Sequence, residues 1–203
     1  MEQQEEVNPW ISIWTEPRGT MRQILNRDST LLVLILAGLV GIAEALIRNP
    51  ALAYGIAYSS IETFMSLVVA AAVLGVLVLY VGAYLTRWTG GWLGGTATLV
   101  SIRAAYAWSS LPKILSAIVL LASWGAAALM PGPVAGLDVA VILVIITLAV
   151  WGVVLHCHCL GEVQGFSAWK GLANSILALL IGIVPILLLI WLLGQFGFFK
   201  MLG

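Results

Sequence analysis

From Ser66 to Leu85 the chain carries no charged side chain, and from Val139 to Leu155 it again carries none. A helix of about 20 mostly apolar residues crosses the hydrocarbon layer of a bilayer. In lipid every backbone N–H and C=O must be satisfied by the protein itself, so such a run has to be helical. The composition agrees: 62% of the 203 residues are hydrophobic and 9% are charged, against about 25% charged in soluble domains. No water-soluble core hides that much apolar surface. The expected fold class is all-α, a polytopic membrane helical bundle.

Hydropathy divides the chain into a cytoplasmic N-terminal amphipathic segment, 1–29, and a transmembrane domain, 30–203. About five spans are expected, near 30–47, 61–85, 113–129, 138–160 and 169–196. Pro131-Gly132-Pro133 reads as a rigid turn between the third and fourth. Short connections make successive helices antiparallel neighbours. Arg18, Arg22 and Arg27 ahead of an apolar run, with Ala43-Glu44-Ala45 inside it, have the outline of a signal peptide. The run is long for a signal, and the reading adopted is a first span.

Orientation follows the cations. With a cytoplasmic N-terminus, Arg18, Arg22, Arg27, Arg87, Arg103, Lys113 and Lys170 fall inside, and only Arg48 and Lys200 fall outside. Trp10, Trp14, Trp88, Trp92, Trp108 and Trp169 cluster at the same inner level, where indoles anchor among headgroups. The expectation is a multi-pass protein of a bacterial inner membrane with its C-terminus outside. Two segments read as interfacial amphipathic helices. One runs from Asn8 to Asn26, with Pro17 at a first helical position. The other, 94–110, is too polar to span and stops at Pro112.

Few residues are left for chemistry. Glu44 lies inside the first span, where a carboxylate is a candidate transport or protonation site. Arg48, four residues on, offers it a partner in the favourable order. Glu62 sits three residues after Ser59, the spacing of a capping box. If Glu62 faced Glu44, the two carboxylates could share a proton or a cation. Arg18, Arg22, Arg87, Arg103, Lys113 and Lys170 suggest a basic rim for anionic headgroups.

His156-Cys157-His158-Cys159 contains zinc-ligand types. On one helix, however, His156 and Cys159 face one side while His158 and Glu162 face another. A polar helix end is the preferred reading, and neither a metal nor a cofactor is expected. The two cysteines, two residues apart, do not bridge each other. No nucleophile and oriented base are visible, so no enzyme is expected. Small residues recur every four positions at Ala37, Gly41 and Ala45, at Ala71 and Gly75, and at Ala178 and Gly182, a spacing that lets membrane helices pack closely.

The segment NPWISIWTEPRGTMRQIL (Asn8 to Leu25), the block GGWLGG (Gly90 to Gly95), AYAWSSLPKIL (Ala105 to Leu115), and the loop Gly161 to Ser167 leading into Lys170 share an order and spacing. Together they resemble the Yip (Ypt/Rab-interacting protein) family in its short prokaryotic form, over nearly the whole chain. The resemblance implies about five helices, a cytoplasmic N-terminus and an outer C-terminus. Eukaryotic members associate with Rab-type GTPases in vesicle traffic. The short form implies a fold and an unidentified protein partner. The expected function is a non-enzymatic membrane scaffold. It would act through its aromatic and basic inner face on lipids, anionic ones included, or on proteins, with self-association and without nucleic acid. The alternative is a small transporter or channel using Glu44 with Glu62.

Overall fold

The computed structural model describes residues 8–27, 30–48, 60–129 and 136–195. They form eight helices: α1 Pro9–Ser12, α2 Pro17–Leu25, α3 Thr30–Arg48, α4 Ile61–Trp92, α5 Leu99–Ser109, α6 Leu111–Leu129, α7 Leu137–Gln164 and α8 Ala168–Gln195. Five stretches are long and apolar enough to cross a membrane: Thr30–Arg48, Ile61–Trp92, Leu99–Ala127, Leu137–Gln164 and Ala168–Leu192. The all-α class and the count of five are those expected. The Pro131-Gly132-Pro133 turn and Lys200 lie outside the described residues.

The long helices close a ring. α3 packs on α4, α4 on α8, α8 on α7, α7 on α6, and α6 back on α3. Glycine sets the tightest crossing: a Cβ on Gly75 of α4 would stand 2.7 Å from the Cα of Gly41 on α3. Only hydrogen at these positions lets the two backbones meet. α7 and α8 make a hairpin whose turn needs Gly165 at φ 73°. There the Phe166 amide reaches back to the Gly161 carbonyl at 2.6 Å, a C-terminal capping pattern that favours glycine.

Segment 94–110, which reads as too polar to span, holds α5, the first part of the Leu99–Ala127 stretch that is long and apolar enough to cross. α5 packs on α3, α4 and α7 at one end of the ring. Thr98 and Ser101 start it with a reciprocal cap: the Ser101 amide donates to Thr98 Oγ1 at 3.1 Å and the Thr98 amide to Ser101 Oγ at 3.0 Å. Ser110 alone separates α5 from α6, and Pro112 occupies the first turn of α6, where its missing N–H costs nothing. α5 and α6 are thus one broken helix. Its polar residues misled the hydropathy reading because protein groups, not water, satisfy them.

The N-terminal segment covers the same end of the ring. Asn8 caps α1, accepting from the Trp10 amide at 3.1 Å, and Pro17 opens α2. Ile13, Met21 and Ile24 are buried with Ala104, Ala105, Trp108 and Cys159. The apolar face expected on the inner leaflet therefore lies on protein, while Trp10, Ile11 and Leu25 stay exposed. Trp108, expected among headgroups, is a core residue packed against Trp10, ring centres 4.8 Å apart and planes tilted by 50°.

Candidate functional site: the cavity inside the helix ring

The five-helix ring carries a cavity of about 600 Å³ that is open on one side. Aliphatic side chains form most of its wall, among them Val40 and Ile47 of α3, Val78 of α4, Leu148 of α7 and Leu179 of α8. α5 supplies Tyr106 and Ser109, the break after it Ser110, and the cavity also reaches Lys113, His156 and Ser175.

Glu44 faces this space between two cations. Arg48, one turn further along α3, pairs with one carboxylate oxygen, and Lys113 of α6 donates to the other at 2.8 Å. Glu44 is 14 residues into α3 and Lys113 is 14 residues beyond the start of α5, roughly 21 Å along each helix at 1.5 Å per residue. The two share one depth, so the sequence reading that put Lys113 at the inner rim and Glu44 near the outer surface does not hold. α5 carries the chain inward before α6 begins, and that places the lysine within the bundle. The Glu44 and Lys113 side chains keep 34% and 44% of their exposure, so the pair borders the cavity rather than lying sealed in the packing.

His156 sits among hydroxyls. Ser109 Oγ lies 3.2 Å from Nδ1 and Ser175 Oγ 3.0 Å from Nε2, and Tyr106 meets the imidazole edge-on at 4.7 Å. Both ring nitrogens are therefore engaged. His158 Nδ1 donates to the Val154 carbonyl at 2.8 Å, and Cys159 is buried in the apolar cluster with Ile13 and Met21. The helix thus turns His156, His158, Cys159 and Glu162 to different surroundings, and among the described residues no three of His, Cys, Asp and Glu gather.

Glu162 is taken up by the N-terminal segment. Arg22 Nε lies 2.8 Å and Arg18 Nη1 3.6 Å from its carboxylate, and Arg18 also donates to the Phe166 carbonyl at 3.0 Å. Arg103 stacks on the Tyr80 ring at 4.5 Å and Lys170 on Phe166 at 4.6 Å. Arg87 is exposed on α4. The six residues of the expected basic rim are thus not one surface: Lys113 and Arg103 belong to the bundle, and Arg18 and Arg22 hold α2 to α7. Glu62 is exposed in the first turn of α4, whose cap is Ser60, accepting from the Thr63 amide at 3.3 Å; Ser59 lies outside the described residues. From the Gly41–Gly75 crossing, Glu62 lies roughly 15 Å along α4 from the level of Glu44.

Glu162→Ala should release α2. The guanidinium groups are partly exposed, so the cost is about 1 kcal/mol. Limited trypsin digestion in detergent, read by intact mass, should cut after Arg18, Arg22 or Arg27 several times faster than in the parent.

One polar cluster escaped the sequence reading. Gln164 of α7 donates to the Thr86 carbonyl at 3.3 Å and accepts from the Ala97 amide at 3.3 Å. Asn174 of α8 donates to the same carbonyl at 3.2 Å and accepts from the Thr89 hydroxyl at 2.6 Å. Thr86 Oγ1 is 2.6 Å from the Tyr106 hydroxyl. Gln164, Asn174, Thr86 and Thr89 are all buried. Gly90 and Gly95 make room, since a Cβ on either would strike the Gln164 amide. This staple ties α4, α5, α7 and α8 together at the α2 end of the ring. The only signal for it in sequence was two amides inside apolar helices with a glycine block elsewhere.

Compared with known proteins, residues 11–191 match the family described as Yip1 domain. No curated protein matches, and no solved structure does.

Proposed function

We propose, on the premise that this chain belongs to the Yip1 domain family, that it is a membrane organiser acting on lipids and protein partners at the α1–α2 end of its bundle. The family is one of non-enzymatic membrane proteins with membrane and protein interactions. The observation that carries the reading is an exposed aromatic collar at that end. Trp10, Trp88, Trp92 and Trp169 are all exposed there, with Arg22, Arg87 and Lys170 among them. Indoles settle at headgroup depth and cations beside them attract anionic lipid, at about 1 kcal/mol per residue near the surface. The excess of Lys and Arg at that end supports a cytoplasmic side for the collar.

The test uses nanodiscs holding equal amounts of phosphatidylcholine and phosphatidylglycerol. Spin-labelled lipids should report a several-fold preference of the protein for the anionic lipid, lost in the Arg22→Gln/Arg87→Gln/Lys170→Gln variant. Equal retention of the two lipids, with the protein monomeric at every protein-to-lipid ratio, would overturn the reading.

A second reading is favoured by the cavity that reaches Glu44: a small transporter using that carboxylate. Proteoliposomes loaded with a pH-sensitive dye should then show a proton flux that Glu44→Gln abolishes. Equal leak with and without protein would remove it.

A further inference from the structure

We infer that the cavity inside the ring is a binding site for an amphiphile with one acidic head and one apolar chain, the acid received by Lys113. The inference goes beyond the collar and uses none of its residues.

Charge is the first argument. Around Glu44 stand two cations, Arg48 and Lys113, against one carboxylate, a formal excess of one positive charge. Glu44 is the only acid lining the cavity among the described residues. A cationic ligand would meet that excess at low dielectric, where charge is weakly screened. An anion would neutralise it.

Donors are the second. An ammonium carries three N–H groups. Lys113 commits one to Glu44, and no other acceptor within the described residues takes the remaining two. Ser110 and Ser116 flank it on the broken helix, but their hydroxyls donate to the Tyr106 and Pro112 carbonyls at 2.8 and 2.9 Å. Lysine is therefore the donor left for an acid oxygen. A charge-assisted bond of this type is about twice as strong as a neutral one.

Shape is the third. The volume of about 600 Å³ lies within the range for one drug-sized ligand. The wall of Val40, Ile47, Val78, Leu148 and Leu179 suits a single flexible chain, and the cavity's other polar groups already bond one another, His156 with Ser109 and Ser175 and Tyr106 with Thr86. Carboxylate and phosphomonoester heads share the required chemistry, and the experiment separates them.

The probe is dansyl-undecanoic acid, titrated into phosphatidylcholine nanodiscs carrying the full chain and read by energy transfer from tryptophan, with empty nanodiscs as blank. Saturable one-to-one binding is expected. Oleate or oleoyl-lysophosphatidate should displace the probe at least ten times better than oleyl alcohol, and whichever does so better identifies the preferred head. Lys113→Gln should weaken the probe at least tenfold, and Lys113→Arg should keep it within about threefold. Glu44 competes with the ligand for Lys113, so Glu44→Gln should tighten binding several-fold. A purely structural ion pair would instead lose binding in both variants. Leu148→Trp fills the cavity with Lys113 intact and should abolish binding, so the outcome does not depend on Lys113→Gln folding. Displacement by the alcohol as good as by the acids, or unchanged binding in Leu148→Trp, would overturn the inference. Neither result touches the lipid preference of the collar.

Discussion

Gly75→Leu is expected to prevent assembly of the bundle. Backbone faces backbone at this crossing: even a Cβ on Gly75 would approach the Cα of Gly41 to 2.7 Å. A side chain can rotate away from an intruding methyl, but a helix axis can only translate. Overpacking that side chains absorb costs about 1–3 kcal/mol. Here the entire α3–α4 interface must open, so a loss above about 3 kcal/mol is expected, a large share of the roughly 5–15 kcal/mol that holds a typical domain together. Gly91→Leu is the control on the same helix. A Cβ there meets nothing within 4 Å, and the change should be neutral or slightly stabilising through helix propensity. Size-exclusion chromatography and thermal unfolding in detergent separate the two. Folding of Gly75→Leu at parental temperature would show that the helices do not cross at these glycines.

The two glycines also mark what a reader of the sequence alone can see. Four-residue spacing of Ala37, Gly41 and Ala45 against Ala71 and Gly75 is a local pattern, and so are the apolar runs that define the five spans. Hydropathy sums over about 20 residues, so it survives small errors in any one of them. The Glu44–Arg48 pair was legible for the same reason, since four residues is one helical turn. Contacts set by the path of the chain were not. Lys113 reaches Glu44 because α5 and α6 run on through Ser110, whereas Pro112 in the sequence reads as a stop. α5 itself reads as a surface segment because Arg103, Tyr106 and Ser109 are polar. Their partners, Tyr80, Thr86 and His156, come from helices at other places in the sequence. Glu162 has His158 as its nearest neighbour on the helix, yet it is held by Arg18 and Arg22 from the far end of the chain. In each case the residue type was informative and its partner was not, since choosing the partner requires the ring.

Gln164→Leu should cost about 1–3 kcal/mol, because it strands a donor with no substitute. The Ala97 amide lies in the link between α4 and α5, and its one acceptor is Gln164 Oε1 at 3.3 Å. Ala97 is buried, so water cannot replace that acceptor without opening the end of the ring. Asn174→Leu should cost less, about 1 kcal/mol, near the usual value for side-chain hydrogen bonds between membrane helices. Its partner Thr89 keeps a bond to the Leu85 carbonyl at 3.0 Å, and the Thr86 carbonyl keeps the Gln164 amide. In the double variant that carbonyl loses both amides together. The two losses should therefore sum to more than their parts, as neighbours that share a partner do. Hydrogen exchange at Ala97 provides the local readout. Gln164→Leu should accelerate it well beyond the change in global stability, while Asn174→Leu should move it only as far as the melting temperature moves. Equal acceleration in the two variants would mean that the end of the ring opens as one unit and that no single amide seals it.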